Sequence, residues 1–252
     1  MSLKKCKILS VDVTTSTYEE ILRVIQSWIE KKQSAYICVA ATHLVMECQT
    51  DETLRKGVNN ADIVTTDGMP LVWVAKLYGY AARRVYGPTL TQRICTMAEK
   101  EKVRVFFLGG SLGQSARLKK KLLEKYPKLQ LAGFHETPTR PLSKAENKKV
   151  LKKIITSKAQ IVFVGLGCPL QEKWMIEHRQ QLPGKILIGV GAAFNFISGD
   201  VTQAPLFIQN AGFEWLFRLI QEPRLLKRYF KNNVLFTISI TRQLISDFFK
   251  IK

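Results

Sequence analysis

The stretch IVFVGLGCPLQEKW, residues 161–174, decides the fold. It opens with a β-branched, apolar run, enters a turn with Gly165 and Gly167, and restarts as a helix at Pro169 with Gln171 in the first turn. A helix start leaves N–H groups unpaired and carries partial positive charge, and glycine lets the backbone come close to a ligand. A buried strand feeding such a turn is a ready place for an anion. The pattern recurs as VRVFFLGGSLG at 103–113 and ILIGVG at 186–191. Three strand-to-glycine turns point to a phosphate-bearing ligand at the carboxyl end of a parallel sheet.

Outward from these turns, strands and helices alternate. Strands are expected at 8–13, 35–40, 62–66, 103–108, 129–134, 161–164 and 186–190. Helices are expected at 18–32, opened by a Ser16/Glu19 capping pattern, and at 42–49, 51–60, 70–77, 87–100, 115–126, 143–156 and 169–181. This alternation predicts an α/β fold, a Rossmann-like, mostly parallel sheet with helices on both faces. After about Pro205 the pattern becomes basic and helical, with one ambiguous run at 234–240. Residues 1–200 are therefore expected to form a catalytic α/β domain, and 201–252 a helical C-terminal appendage.

The 252 residues are 46% apolar, enough for a real core, but the formal net charge is +19. Such a charge favours anionic partners: nucleic acid, an acidic membrane surface or phosphorylated substrates. The five cysteines, Cys6, Cys38, Cys48, Cys95 and Cys168, contain no CxxC pair, which argues against zinc and a disulfide framework and for a reducing, cytoplasmic compartment. No signal peptide or membrane-spanning run is expected.

Four constellations bear chemistry. In TTDGMPLVW (65–73), Asp67 stands where a strand ends, either as a catalytic carboxylate or as a cap for the next helix. FLGGSLGQS (107–115) offers Gly109 and Gly110 as a diphosphate cradle or a plain tight turn; it is neither a Walker A sequence nor a dinucleotide fingerprint. Asn195, between Phe194 and Phe196, is either a sugar or base contact or a turn residue. The tail GFEWLFRLIQEPRLLKRYFKN (212–232) interleaves aromatics with Arg218, Arg224 and Arg228, suiting an anionic membrane surface or a core-packed helix with solvated cations. His43, His135 and His178 have no metal-site spacing. His135 and His178 are expected on the surface or on a helix, and His43 near the cleft. No Asp-x-Asp motif is present.

Taken in order, these motifs resemble the WecG/TagA/CpsF family of bacterial glycosyltransferases, glycosyltransferase family 26. The residues that carry the resemblance are ADIV at 61–64, TDGMPLVW at 66–73, RVYGP at 84–88, FLGG at 107–110, GLGCPLQEKW at 165–174, GVGAAF at 189–194, EWLFRL at 214–219 and EPR at 222–224. The resemblance spans nearly the whole chain. It implies inverting transfer of a hexose, such as N-acetylmannosamine, from a UDP-sugar to a polyprenyl-diphosphate-linked saccharide in cell-surface polysaccharide or teichoic acid synthesis. It makes Asp67 the general base that takes a proton from the acceptor hydroxyl. Thr42, His43, Arg84, Gly109, Gly110, Gly167, Gln171 and Asn195 become substrate contacts, and Arg218, Arg224 and Arg228 meet the acceptor diphosphate. Neither metal nor other cofactor is implied, and nucleic acid is not among the implied partners. The implied place of work is the inner face of the bacterial cell membrane, with homo-oligomerisation left open.

The chain departs from the family pattern at several positions. The usual Thr-x-Asn is replaced at 40–43 by Ala-Ala-Thr-His, Phe-Asp by Phe194-Asn195, Arg-Ala-Pro by Gln203-Ala204-Pro205, and Gly-Pro-Asp by Gly87-Pro88-Thr89. These departures leave the donor sugar open. Two other readings compete. A nicotinamide-dependent oxidoreductase would need a GxGxxG turn with an acidic residue about 20 positions on, and the sequence has none. A nucleic-acid-binding protein rests on charge alone.

Overall fold

The computed structural model describes residues 3–138 and 140–250, without the side chains of Asn210, Arg224, Arg228 and Lys250. The chain opens with an antiparallel hairpin, β1 (Lys4–Ile8) and β2 (Val11–Thr15). One strand over 8–13 was expected. The turn escapes detection because Leu9 takes a φ of 53° without the Asn-Gly or Asp-Gly that usually marks such a hairpin. Helix α1 (Tyr18–Glu30) is capped one residue later than the sequence suggests: Thr17 and Glu20 form the reciprocal capping box, and Ser16 is buried.

Strands then alternate with helices. The order is β3 (Ala35–Ala40), α2 (Thr42–Thr50), α3 (Glu52–Asn59), β4 (Ile63–Thr66), α4 (Met69–Leu77), α5 (Gly87–Lys100), β5 (Arg104–Gly109) and α6 (Gln114–Lys125). It continues with β6 (Gln130–His135), α7 (Lys144–Thr156), β7 (Ile161–Gly165), α8 (Leu170–His178), β8 (Ile186–Gly189) and α9 (Ala193–Ser198). Across the sheet the strands run β4-β3-β8-β7-β5-β6, and every neighbouring pair is parallel. The four central strands, β3, β8, β7 and β5, are almost wholly apolar because both faces are covered. Ile161 and Phe163 of β7 join one core layer with Phe107 and Phe194, while Val162 and Val164 join the other with Phe106 and Leu108. Phe107 lies between Phe134 and Phe163, at centroid distances of 5.2 and 5.0 Å.

This order positions the site. All six carboxyl ends share one edge, and β8, β7 and β5, which end in the three glycine turns, are adjacent. β7 connects through α8 towards β8, whereas β5 connects through α6 the other way, to β6. Open parallel sheets bind ligands in the crevice where connections part in this manner.

The chain after 201 carries α10 (Leu206–Asn210), α11 (Glu214–Gln221) and α12 (Leu226–Lys250). The ambiguous run at 234–240 is helical. Phe236 and Ile240, four residues apart, are buried, while Leu235 and Ile238 are exposed, the pattern of one apolar stripe on a helix. Helix α12 is roughly 37 Å long. It begins near α2, where the Thr42 hydroxyl donates to Asn233 Oδ1 at 3.1 Å. It ends on the hairpin and the end of α4, where Gln243 accepts from Leu9 N–H at 2.6 Å and the Tyr78 hydroxyl donates to Asp247 at 2.7 Å. Among the described residues, no helix is long and apolar enough to cross a membrane.

Candidate active site

Asp67 follows β4. Its N–H donates to the Ala40 carbonyl of β3 at 2.8 Å, which fixes it at the carboxyl edge of the sheet. The cap position of α4 is Gly68, with no side-chain cap bond, so the carboxylate of Asp67 is not spent on the helix. Its Oδ1 is buried without a hydrogen-bond partner, while the side chain as a whole keeps 21% exposure. Burial pushes the carboxyl up to about 7, against the pull of Arg84, and Glu214 adds to the rise. A carboxylate titrating near neutrality is well matched to proton abstraction.

Arg84 is the cation of this corner. Its Nε donates to the Asp67 carbonyl at 2.6 Å, and its Nη2 stands 3.5 Å from Asp67 Oδ1. The same Nη2 donates to Glu214 at the start of α11, and the Tyr86 hydroxyl donates to the other oxygen of Glu214. The guanidinium also lies over the Tyr86 ring, 4.2 Å from its centroid. Phe196 adjoins Tyr86 at 6.3 Å, and Arg218 lies 5.6 Å from the Phe196 ring while its Nε donates to Glu222 at 2.9 Å. A cation–ring–ring–cation row therefore runs from Asp67 to α11.

The glycine turns form the second wall. Gly167 and Gly191 have φ of 79° and 57°, and neither has an atom within 4 Å of where a Cβ would stand. They are joined by buried Gln171, which accepts from Gly191 N–H at 2.9 Å and donates to Glu172 at 2.7 Å. Glu172 is fully buried with Oε2 unpartnered, and burial pushes its carboxyl up to about 7. Gly109 and Gly110 are different. A Cβ on Gly109 would stand 2.4 Å from the Gly165 carbonyl, and one on Gly110 would stand 2.5 Å from Gln114. The start of α6 beyond them is already occupied by an anion of the protein: Glu136 accepts from Gly113 N–H at 3.0 Å and Ser115 N–H at 2.7 Å.

The expected residues thus fall into two clusters. Asp67 and Arg84 meet directly; Thr42 is close by, since a Cβ on Gly68 would stand 3.6 Å from its nitrogen. His43, also on α2, pairs with Glu47 at 3.0 Å. Gly167 and Gln171 lie on the other wall, and Asn195 joins Gly110 around Gln114, accepting its amide at 2.8 Å. Arg218 reaches the first cluster through Phe196 and Tyr86. Arg224 and Arg228 have side chains outside the described residues. Helix α9 joins the clusters with three consecutive residues: Phe194 covers Gly165, Asn195 meets Gln114, and Phe196 meets Tyr86. His178, expected on the surface or on a helix, is on α8 and buried, its ring 4.9 Å from that of Trp174. His135 lies at the end of β6, 3.1 Å from Lys153 Nζ.

Sequence reasoning missed Glu214, Tyr86, Phe196 and Asn233 as parts of the site. One signal for Glu214 was available: between 212 and 232 it and Glu222 are the acids in an otherwise basic stretch, and each pairs with an arginine. A cavity of about 420 Å³ lies elsewhere, lined by Tyr78, Tyr80, Gln243 and Asp247. It contains none of the expected residues, and its hydrogen bonds anchor α12 to the hairpin and to the end of α4.

The sequence profile described as the glycosyl transferase WecG/TagA/CpsF family matches residues 6–248. Individual relatives agree with it. An N-acetylglucosaminyldiphosphoundecaprenol N-acetyl-beta-D-mannosaminyltransferase of Bacillus spizizenii is 28% identical over 78% of this chain and 75% of its own length. Proteins of the same name from Staphylococcus aureus strain MRSA252 and Bacillus subtilis strain 168 are each 26% identical, over 86% and 80% of this chain and 84% and 77% of their own. With a profile that spans nearly the whole chain and a parallel sheet whose carboxyl edge gathers the motif residues, the protein belongs to the WecG/TagA/CpsF family and is a glycosyltransferase.

Proposed function

We propose that this enzyme transfers N-acetylmannosamine, with inversion, from its UDP-sugar to an N-acetylglucosamine carried on a polyprenyl diphosphate. The observation that carries this reading is the activity shared by name among the relatives, N-acetylmannosaminyl transfer to N-acetylglucosaminyldiphosphoundecaprenol, with similarity over most of this chain. In the reaction the acceptor hydroxyl oxygen bonds to the anomeric carbon of the donor. The bond from that carbon to the UDP oxygen breaks, UDP leaves, and the hydroxyl proton passes to Asp67. An Asp67 carboxyl lifted to about 7 supports its role as base. Open space at Gly167 and Gly191, with Gln171 between them, supports these turns as the donor wall.

In this reading residues 201–252 bring the acceptor to the base at the inner face of the bacterial cell membrane. Exposed Leu206, Phe207, Phe213 and Phe230, with exposed Lys227 and Lys231, support contact with an anionic lipid surface. Transfer without a metal is part of the same proposal, motivated by the absence of an Asp-x-Asp motif.

The test is a donor screen with the full-length protein. UDP-sugars are offered with a short-chain polyprenyl-diphosphate N-acetylglucosamine, with and without EDTA, and UDP release and the saccharide product are measured. UDP-N-acetylmannosamine is expected to give product in both conditions. Product from a different UDP-sugar alone would replace the donor assignment, and loss of product in EDTA would replace the metal-free one. Liposome flotation checks the membrane arm: binding that rises with anionic lipid content is expected, and equal recovery from neutral and anionic vesicles would sink it.

A further inference from the structure

One carboxylate beside the base has no part in the scheme above. Glu214 is 15% exposed at the start of α11 and takes hydrogen bonds from Arg84 Nη2 and the Tyr86 hydroxyl. Arg84 thus stands between two carboxylates. It bonds Glu214, yet offers Asp67 Oδ1 only a 3.5 Å approach, outside good hydrogen-bond geometry, and Oδ1 is left unpartnered. Two further contacts hold the Arg84 fork. Its Nε is tied to the Asp67 carbonyl and its plane lies over Tyr86, whose own N–H donates to the Tyr18 hydroxyl at 2.8 Å.

A guanidinium that paired fully with the Asp67 carboxylate would stabilise its charged form and weaken it as a proton acceptor. We propose that Glu214 is a positioning residue for the transfer reaction. It holds Arg84 back from Asp67, so that the carboxylate stays free to take the acceptor proton. Because Glu214 belongs to α11, the strength of the base then depends on docking of the C-terminal helices. Undocked, the enzyme has a weaker base. Docked, the base is strongest when the segment expected to present the lipid acceptor is in place. This proposal rests on the reading of Asp67 as general base. The charged and titratable groups that face Asp67 are Arg84 and Tyr86 from the segment between α4 and α5, Glu214 from α11, and Tyr18 from α1. Removing the negative charge of Glu214 both deletes a like charge and releases the cation, and both effects favour the ionised form of Asp67.

The experiment compares the full-length enzyme with Glu214→Gln, Glu214→Ala and Asp67→Asn. Three quantities are measured: the pH profile of kcat/KM for transfer, the midpoint of the Asp67 carboxyl by carbon-13 NMR of labelled aspartate, with Asp67→Asn assigning the signal, and UDP affinity by calorimetry. In both Glu214 variants the Asp67 midpoint and the acidic limb are expected to move together to lower pH, by about one unit. The plateau rate is expected to fall on the order of threefold, as a weaker base predicts, with UDP affinity unchanged. A lower rate with an unmoved midpoint would make Glu214 merely structural and overturn the proposal. Tighter UDP binding with an unmoved midpoint would make it a stand-in for a substrate phosphate, and overturn it equally. A midpoint that moves while the acidic limb stays would instead remove Asp67 as the base, the separate failure of the underlying reading. Should both variants fail to fold, Glu214→Asp keeps the charge on a shorter arm; a smaller shift in the same direction is expected, and no shift overturns the proposal.

Discussion

The two walls of the crevice are built in opposite ways. At the Asp67 corner, side chains from distant segments meet: Asp67 after β4, Arg84 and Tyr86 before α5, and Glu214 on α11. At the glycine wall the backbone itself forms the surface, and two turns of similar sequence differ in what fills them. Glu136 occupies the start of α6, whereas Gly167 ahead of α8 faces open space. The corner can therefore change its charge without moving the chain, and the wall cannot change shape without moving it. A strand–glycine–helix turn is a place for a ligand anion only where the protein has not already supplied an anion of its own.

Five experiments press on this contrast. Asp67→Asn keeps the shape of the corner and deletes the carboxylate proposed as its proton acceptor. Transfer is expected to fall on the order of 10²–10⁴-fold with an unchanged melting temperature; near-normal turnover would break the chemical half of the comparison. In the unaltered enzyme, kcat/KM is expected to fall about tenfold per unit as pH drops below about 7, because Asp67, the proposed base, works only when ionised and burial raises the pH at which it loses its charge. A profile flat from pH 5 to 8 would count against it.

Gly109→Ala tests the wall where it is closed. The added Cβ meets the Gly165 carbonyl at 2.4 Å in a residue with φ of 112°, so β5 and β7 must part. Stability is expected to drop by about 3 kcal/mol, read by chemical denaturation, and a loss of activity without a loss of stability would contradict the packing role. Gly167→Ala tests the wall where it is open. Nothing is struck, so only the left-handed backbone resists, at about 1 kcal/mol. The donor KM is expected to rise more than kcat falls, and an unaltered KM would remove this turn from the donor wall. The smallest effect is expected from Glu136→Gln: about 0.5 kcal/mol of stability lost at the α6 start, with transfer unchanged. A clear gain in UDP affinity there would show that the two turns are closer in function than their contents suggest.

Much of the architecture was legible in the sequence because it depends on local pattern. Parallel strands covered on both faces read as unbroken apolar runs, and the turns after Leu108, Val164 and Ile188 carry their glycines openly. What was hidden depends on contacts between distant residues. The hairpin turn at Leu9 lacks a turn signature, and 234–240 joins a helix because Phe236 and Ile240 find the core. The partnership of Glu214 with Arg84 spans 130 positions, and no local reading reaches that far. Gln171 was expected as a polar residue of a first helical turn; only the tertiary fold shows it buried and bonded to the Gly191 turn.

The strand order carries one more consequence, for the history of each molecule. β3 lies between β4, its near neighbour in the chain, and β8, the last strand to be made. The growing polypeptide cannot close the middle of its sheet until Ile186–Gly189 has emerged from the ribosome, and such remote pairings form slowly. Until then Ile37 and Cys38 present an unpaired, apolar edge, the kind that invites association between chains. Synthesis at high rates or raised temperature should therefore aggregate this protein through β3, well before the basic helices that follow β8 exist.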